Sequence, residues 1–67
     1  MKRFVIMETV RTSKDNRQEI AFQCKGDYER MARARFAELS AKFPNTYFEL
    51  LEIEHTEKCL EFTKDRV

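Results

Sequence analysis

The hydrophobic and polar positions in the first part of the chain have the patterns of two β-strands. Residues 3–12 are rich in β-branched and aromatic side chains, and their apolar residues fall on both faces of the predicted strand. One face would hold Phe4, Ile6 and Val10, and the other would hold Val5 and Met7. Apolar residues on both faces predict a central strand of a sheet.

A second strand is predicted over residues 17–24, after a turn signal at residues 13–16. Its apolar residues occupy alternate positions, so one face would be buried and the other would be in contact with solvent. The apolar face would consist of Ile20, Phe22 and Cys24. This pattern predicts a hairpin with the first strand.

Residues 27–43 have the three-and-four spacing of an amphipathic helix, which ends before Pro44. Asp27 follows the only glycine, Gly26, and is predicted to cap the N-terminus of the helix with its carboxylate. The predicted core-facing stripe consists of Tyr28, Met31, Ala32, Phe36, Leu39 and Phe43.

Two more strands are predicted over residues 46–54 and 59–63, with a turn at residues 55–58 between them and a frayed tail over residues 64–67. In the first of these strands, one face would hold Phe48 and Leu50 and the other Tyr47, Leu51 and Ile53. In the last strand, Leu60 and Phe62 would share one face.

The order β-β-α-β-β predicts one α+β domain over residues 1–67. The helical crossover brings the third strand beside the first, so the simplest sheet is fully antiparallel, four-stranded and in the order 2-1-3-4, with the helix on one face. The other face is uncovered, and large uncovered apolar patches are typical of interfaces. The candidate partner-binding residues are Val5, Met7, Tyr47, Leu51 and Ile53. The alternatives are ordinary scattered surface residues or tails folded over the face.

The net charge of +1 indicates no particular class of partner, but the charges are unevenly distributed along the chain. Residues 1–35 contain nine Lys or Arg and five Asp or Glu, whereas residues 36–67 contain four and seven. A candidate electrostatic rim consists of Lys25, Arg30, Arg33, Glu52 and Glu54. Arginine binds phosphate with two parallel hydrogen bonds, so nucleic-acid binding through the basic members of this rim is the alternative function. The structural alternative is a solvated helix face with ion pairs such as Glu29–Arg33.

The sequence indicates neither catalysis nor a cofactor. One glycine is too few for a Gly-rich phosphate loop, and the single histidine, His55, has no serine nearby in the chain. Cys24, Cys59 and His55 fall short of the four ligands of a structural zinc site, and the two cysteines are predicted to be buried thiols. We therefore expect no catalytic residue, no metal and no cofactor, and we expect the protein not to be an enzyme.

The N-terminal apolar run covers only residues 4–7. A secretory signal needs about 7–15 apolar residues and a membrane span about 20. The sequence therefore predicts a cytoplasmic protein with reduced thiols and no membrane partner.

The chain resembles small phage-encoded accessory proteins in which one helix joins two hairpins, and some of these are anti-defence proteins such as certain anti-CRISPR inhibitors. The resemblance is carried by Gly26-Asp27, Phe36-Ala37-Glu38-Leu39, Phe43-Pro44 and Tyr47-Phe48-Glu49-Leu50, followed by a short acidic hairpin. It transfers no functional residue, but it implies a small protein that binds and blocks a host protein in the host cytoplasm. We therefore expect a non-enzymatic module that binds another protein or a second copy of itself.

Overall fold

A computed structural model describes residues 1–11 and 16–63 as a four-stranded antiparallel sheet with one helix packed on one face. The strands are β1 (Arg3–Arg11), β2 (Asn16–Lys25), β3 (Tyr47–Ile53) and β4 (Glu57–Phe62), and the helix is α1 (Glu29–Lys42). The order across the sheet is β2-β1-β3-β4. The predicted α+β class, element order and strand order are therefore confirmed. Residues 12–15, which include most of the predicted first turn, and the predicted tail at 64–67 lie outside the described residues.

The core lies between α1 and the covered face of the sheet. Phe4 and Ile6 of β1 share one face, as do Phe48 and Leu50 of β3, which the alternation of residues predicted. In the structure these faces point towards the helix, and the four side chains are almost fully buried. The helix contributes Ala32 and Phe36, and four half-buried residues complete the cluster: Phe22, Cys24, Leu39 and Leu60. Successive side chains of a strand point to opposite faces of the sheet. The two central strands that supply the largest core side chains therefore also supply side chains to the uncovered face.

The helix begins two residues later than predicted, and its buried stripe is narrower. Asp27 lies in a short 3₁₀ turn (Gly26–Tyr28), and no side chain caps either this turn or α1. Three predicted core residues, Tyr28, Met31 and Phe43, are exposed. The 3₁₀ turn moves Tyr28 away from the helical register. Phe43, just beyond the end of α1, is 44% exposed, and its ring is tilted against that of Phe48 at a centroid distance of 6.5 Å. Only the middle of α1 therefore touches the sheet.

Both edge strands contain a one-residue β-bulge, which the alternation of residues did not predict. In β2, Phe22 pairs with Ile6 and Ile20 pairs with Met7, so Ala21 is the extra residue. In β4, the register shifts in the same way at Leu60. A bulge reverses the alternation of faces beyond it. Ile20 therefore does not share the face of Phe22, and Phe62 does not share the face of Leu60; the predictions that grouped them were wrong.

The bend between β3 and β4 is shorter than predicted, because β4 already begins at Glu57. The backbone N–H of Glu54 donates to the carbonyl of Thr56 at 3.2 Å and closes this bend. Within the described part of the chain, α1 is too short and too polar to cross a membrane.

Candidate interaction surface

The face of the sheet that points away from α1, called the open face below, is organised in three rows of side chains across the four strands. Directly paired residues of antiparallel strands lie on the same side of a sheet. From β2 to β4, the rows are Lys25–Arg3–Ile53–Glu57, Gln23–Val5–Leu51–Cys59 and Ile20–Met7–Glu49–Phe62.

The centre of the open face is a shallow depression of about 180 Å³ with an apolar floor. Val5 is only 2% exposed and Leu51 only 6%, although no helix covers them, because their neighbours in the adjacent rows shield them. Met7 and Ile53 line the depression beside them and are half-buried. The structure therefore brings four of the five sequence-predicted candidates together at this depression.

The fifth candidate, Tyr47, pairs with Thr9 one row beyond the depression and is half-buried. Sequence reasoning missed the two most exposed apolar residues of the open face. Ile20 is 53% exposed and Phe62 is 61% exposed, and they form the two ends of one row. They were missed because each reaches this face only through the bulge in its strand.

The charges of the three rows are separated into two halves. The basic side chains, Arg3 and Lys25, lie on the β1–β2 half, and the acidic ones, Glu49 and Glu57, lie on the β3–β4 half. Arg3 donates from Nη1 to Oε1 of Gln23 at 3.3 Å, within its own half. The open face therefore combines an apolar centre with oppositely charged sides.

Cys59 lies on the acidic half of the open face and is exposed, contrary to the predicted buried thiol. Partial desolvation raises its pKa, and the carboxylates of Glu49 and Glu57 raise it further because they disfavour a neighbouring thiolate. Cys24 is half-buried; its Sγ lies 3.6 Å from the carbonyl of Tyr28, and desolvation raises the pKa of its thiol. The described residues contain no group of three or more potential metal ligands.

The structure does not gather the candidate electrostatic rim into one surface. Lys25 lies at the basic end of the open face, whereas Glu52 pairs with Phe4 and its Oε1 lies 3.7 Å from Nζ of Lys2. Arg30 is exposed on α1, and Glu54 is exposed in the bend after β3.

Arg33 and Arg35 extend from α1 towards opposite edges of the sheet. Arg33 donates from Nε to Glu29 at 2.9 Å and from Nη1 to Glu61 of β4 at 3.1 Å, and both contacts raise its pKa. Arg35 lies over the ring of Phe22 in β2, 5.3 Å from its centroid, and pairs with Glu38 at 3.1 Å. The arginines of the helix therefore do not form a single phosphate-binding patch.

Comparison of the chain with protein-family models, with curated proteins and with solved structures finds no match.

Proposed function

We propose that the protein is a non-enzymatic protein-interaction module that binds its partner through the open face of the sheet. The observation that carries this proposal is the exposure of Ile20 and Phe62 at the two ends of an otherwise half-buried row. Complete burial of an exposed Ile or Phe side chain is worth about 1.5–3 kcal/mol, and each of these two has more than half of its surface still to bury. Together with the apolar floor of the depression, these two side chains provide the hydrophobic contact area for a partner.

The shape of the open face favours a macromolecule over a small molecule. Its depression of about 180 Å³ is smaller than the roughly 300–1,000 Å³ of typical ligand pockets. An apolar centre with charged sides resembles the usual anatomy of a protein–protein interface, in which a buried core is surrounded by a polar rim. The partner is either a second copy of the chain or another protein. For the second case, the resemblance of the sequence to phage accessory proteins adds the proposal that it is a host protein whose activity this module blocks.

Variants that add charge to the open face test this proposal. Ile20→Glu combined with Phe62→Glu changes only exposed side chains, so the fold should be retained. Met31 of α1 is 45% exposed on the opposite side of the molecule, which makes Met31→Glu a matched control. Substitution of Leu51 is unsuitable because this residue is 6% exposed and its replacement by a charge would destabilise the fold.

The experiment is affinity capture from lysate of the source or host cell, with and without nuclease, read by mass spectrometry. If the partner is a different protein, we expect it to be captured in stoichiometric amount, to resist nuclease, to remain bound to Met31→Glu and to be lost from Ile20→Glu/Phe62→Glu. Equal capture by both variants would contradict a role of the open face.

Nucleic-acid binding by the helix is the second candidate, and the exposure of Tyr28 favours it. This aromatic ring was predicted to be buried but is accessible for stacking, and it lies in the chain between Lys25 and Arg30. In the same experiment, this candidate predicts loss of all captured material after nuclease treatment. It also predicts loss on Arg30→Glu and a steep decrease of binding between about 50 and 200 mM salt.

A further inference from the structure

We infer that the occupant of the open face is a second copy of this chain, packed face to face about a twofold axis parallel to the strands. This inference rests on the proposed function, because it names the partner of the same surface. In such a contact each residue pair occurs twice, so one surface must be complementary to itself.

The separation of charges on the open face meets this requirement. A twofold axis between β1 and β3, parallel to them, places the β1–β2 half of one copy over the β3–β4 half of the other. Lys25 then faces Glu57 of the second copy, and Arg3 lies beside the same carboxylate. Opposite charges thus meet at both sides of the interface, where Lys25 and Arg3 of one copy approach Glu57 of the other.

The apolar residues match under the same rotation. Val5 faces Leu51 at the centre, and Ile20 faces Phe62 at both ends of their row, so the two most exposed apolar side chains cover one another. Sheets packed in this way lie about 10 Å apart with strands within about 30° of parallel. Glu49 comes opposite Met7, and the hydroxyl of Thr9 in the next row is the nearest side-chain donor for its carboxylate.

A twofold axis perpendicular to the strands does not give this match. With the axis through the Val5 row, it would place Arg3 over Met7 and Glu57 over Phe62, so that no basic side chain of the three rows would meet an acidic one of the other copy. The charge pattern therefore selects one orientation of the second copy.

The open face is small for the interface of a stable dimer. Four strands about 4.8 Å apart and about 20 Å long give a face of about 400 Å² per copy. A standard stable interface buries about 800 Å² per partner. We therefore expect a weak dimer that dissociates on dilution, with a Kd of the order of 10–100 μM.

The test uses two charge-reversal variants. Each weakens its own homodimer, but one copy of each variant can pair with the other without repulsion. Lys25→Glu places two acidic residues opposite each other, and Glu57→Lys places two basic ones, so each variant alone should weaken the dimer at least tenfold. In an equimolar mixture of the two variants, every contact is again between opposite charges, and we expect a heterodimer. Lys58→Glu and Glu54→Lys are controls, because these exposed residues lie outside the three rows.

The measurements are sedimentation velocity from about 10 μM to 1 mM, a range that brackets the expected Kd, and native mass spectrometry of the mixture, with circular dichroism to verify folding. A chain that stays monomeric over this range, or a mixture without preferred heterodimers, would overturn the inference. If the dimer fails but Ile20→Glu/Phe62→Glu still loses a captured protein that Met31→Glu retains, the open face binds a different protein and the proposed function stands. If both fail, the proposed function fails as well.

Discussion

Ile20 and Phe62 lie at opposite ends of the same row of the sheet, on the two edge strands β2 and β4. Each reaches this row because a one-residue bulge interrupts the alternation of its strand, at Ala21 in β2 and at Leu60 in β4. If the same residues alternated without a bulge, both side chains would point towards α1. The two edge strands therefore use the same backbone irregularity to place an aliphatic and an aromatic residue on the open face.

Deletion of Ala21 should remove the bulge without changing which residues face the helix. Ala21 is the unpaired residue, so Phe22 would still pair with Ile6 and Ile20 with Met7. We expect the free energy of unfolding, measured by urea denaturation, to change by no more than about 1 kcal/mol.

Deletion of Gln23 is the contrasting case, because it would move Phe22 to the open face and place Ala21 opposite Ile6. We expect this variant to lose about 1–3 kcal/mol, since the half-buried aromatic ring leaves the core. Equal stability of the two deletion variants would contradict the assignment of Ala21 as the bulged residue.

Gly26 is required by close approach of the backbone and not by an unusual φ angle. A Cβ at this position would lie 2.8 Å from the carbonyl oxygen of Lys2, whereas no described residue has a positive φ. Gly26→Ala should therefore lower the free energy of unfolding by about 1–3 kcal/mol, because the chain before β1 must move.

Asp27→Ala is the neighbouring control for this substitution. Asp27 lies inside the 3₁₀ turn, and the N-cap positions of this turn and of α1 are occupied by Lys25 and Tyr28 instead. Thermal and urea unfolding should show a loss below about 0.5 kcal/mol, less than the roughly 1 kcal/mol of a lost N-cap. A decrease of about 1 kcal/mol in the free energy of unfolding would mean that Asp27 does cap the helix.

Cys59 should react slowly with iodoacetamide at neutral pH in spite of its exposure. Its pKa is raised, so the thiolate is scarcer at pH 7 than for an ordinary cysteine. In a Cys24→Ser background, the rate should increase with pH along a curve displaced to higher pH from that of a model peptide.

The combined variant Glu49→Gln/Glu57→Gln should move this curve towards lower pH, because it removes the two carboxylates that disfavour the thiolate. Replacement of the distant Glu38 by Gln should leave it unchanged. An identical curve for both variants would exclude the carboxylates as a cause.

Ser40→Ala should stabilise the protein. The Oγ of Ser40 is buried on α1 and has no hydrogen-bond partner within the described ranges. Removal of an unsatisfied polar atom together with the higher helix propensity of alanine should add about 1–2 kcal/mol to the free energy of unfolding. Ala37→Ser, at an exposed position of the same helix, measures the propensity difference of about 0.5 kcal/mol alone. A gain no larger than this difference would mean that the hydroxyl is satisfied.

The amino-acid sequence determined the elements, their order and the faces of the two central strands. Alternation and three-and-four spacing are local properties, and the apolar residues on both faces of β1 and β3 require central positions with a second, uncovered apolar face. The residue pattern alone therefore groups Val5 with Met7 and Leu51 with Ile53, which made them candidates for that face. That Phe4, Ile6, Phe48 and Leu50 form the covered core depends on the side of the sheet on which α1 packs.

The tertiary structure decided the features that depend on pairing between distant segments. A bulge arises from the register between two strands, so neither the position of Ile20 nor that of Phe62 could be read from one strand alone. The partners of Arg33 and Arg35 depend on how α1 crosses the sheet. The separation of charge on the open face likewise exists only once the register aligns Lys25, Arg3 and Glu57 across strands that are far apart in the chain.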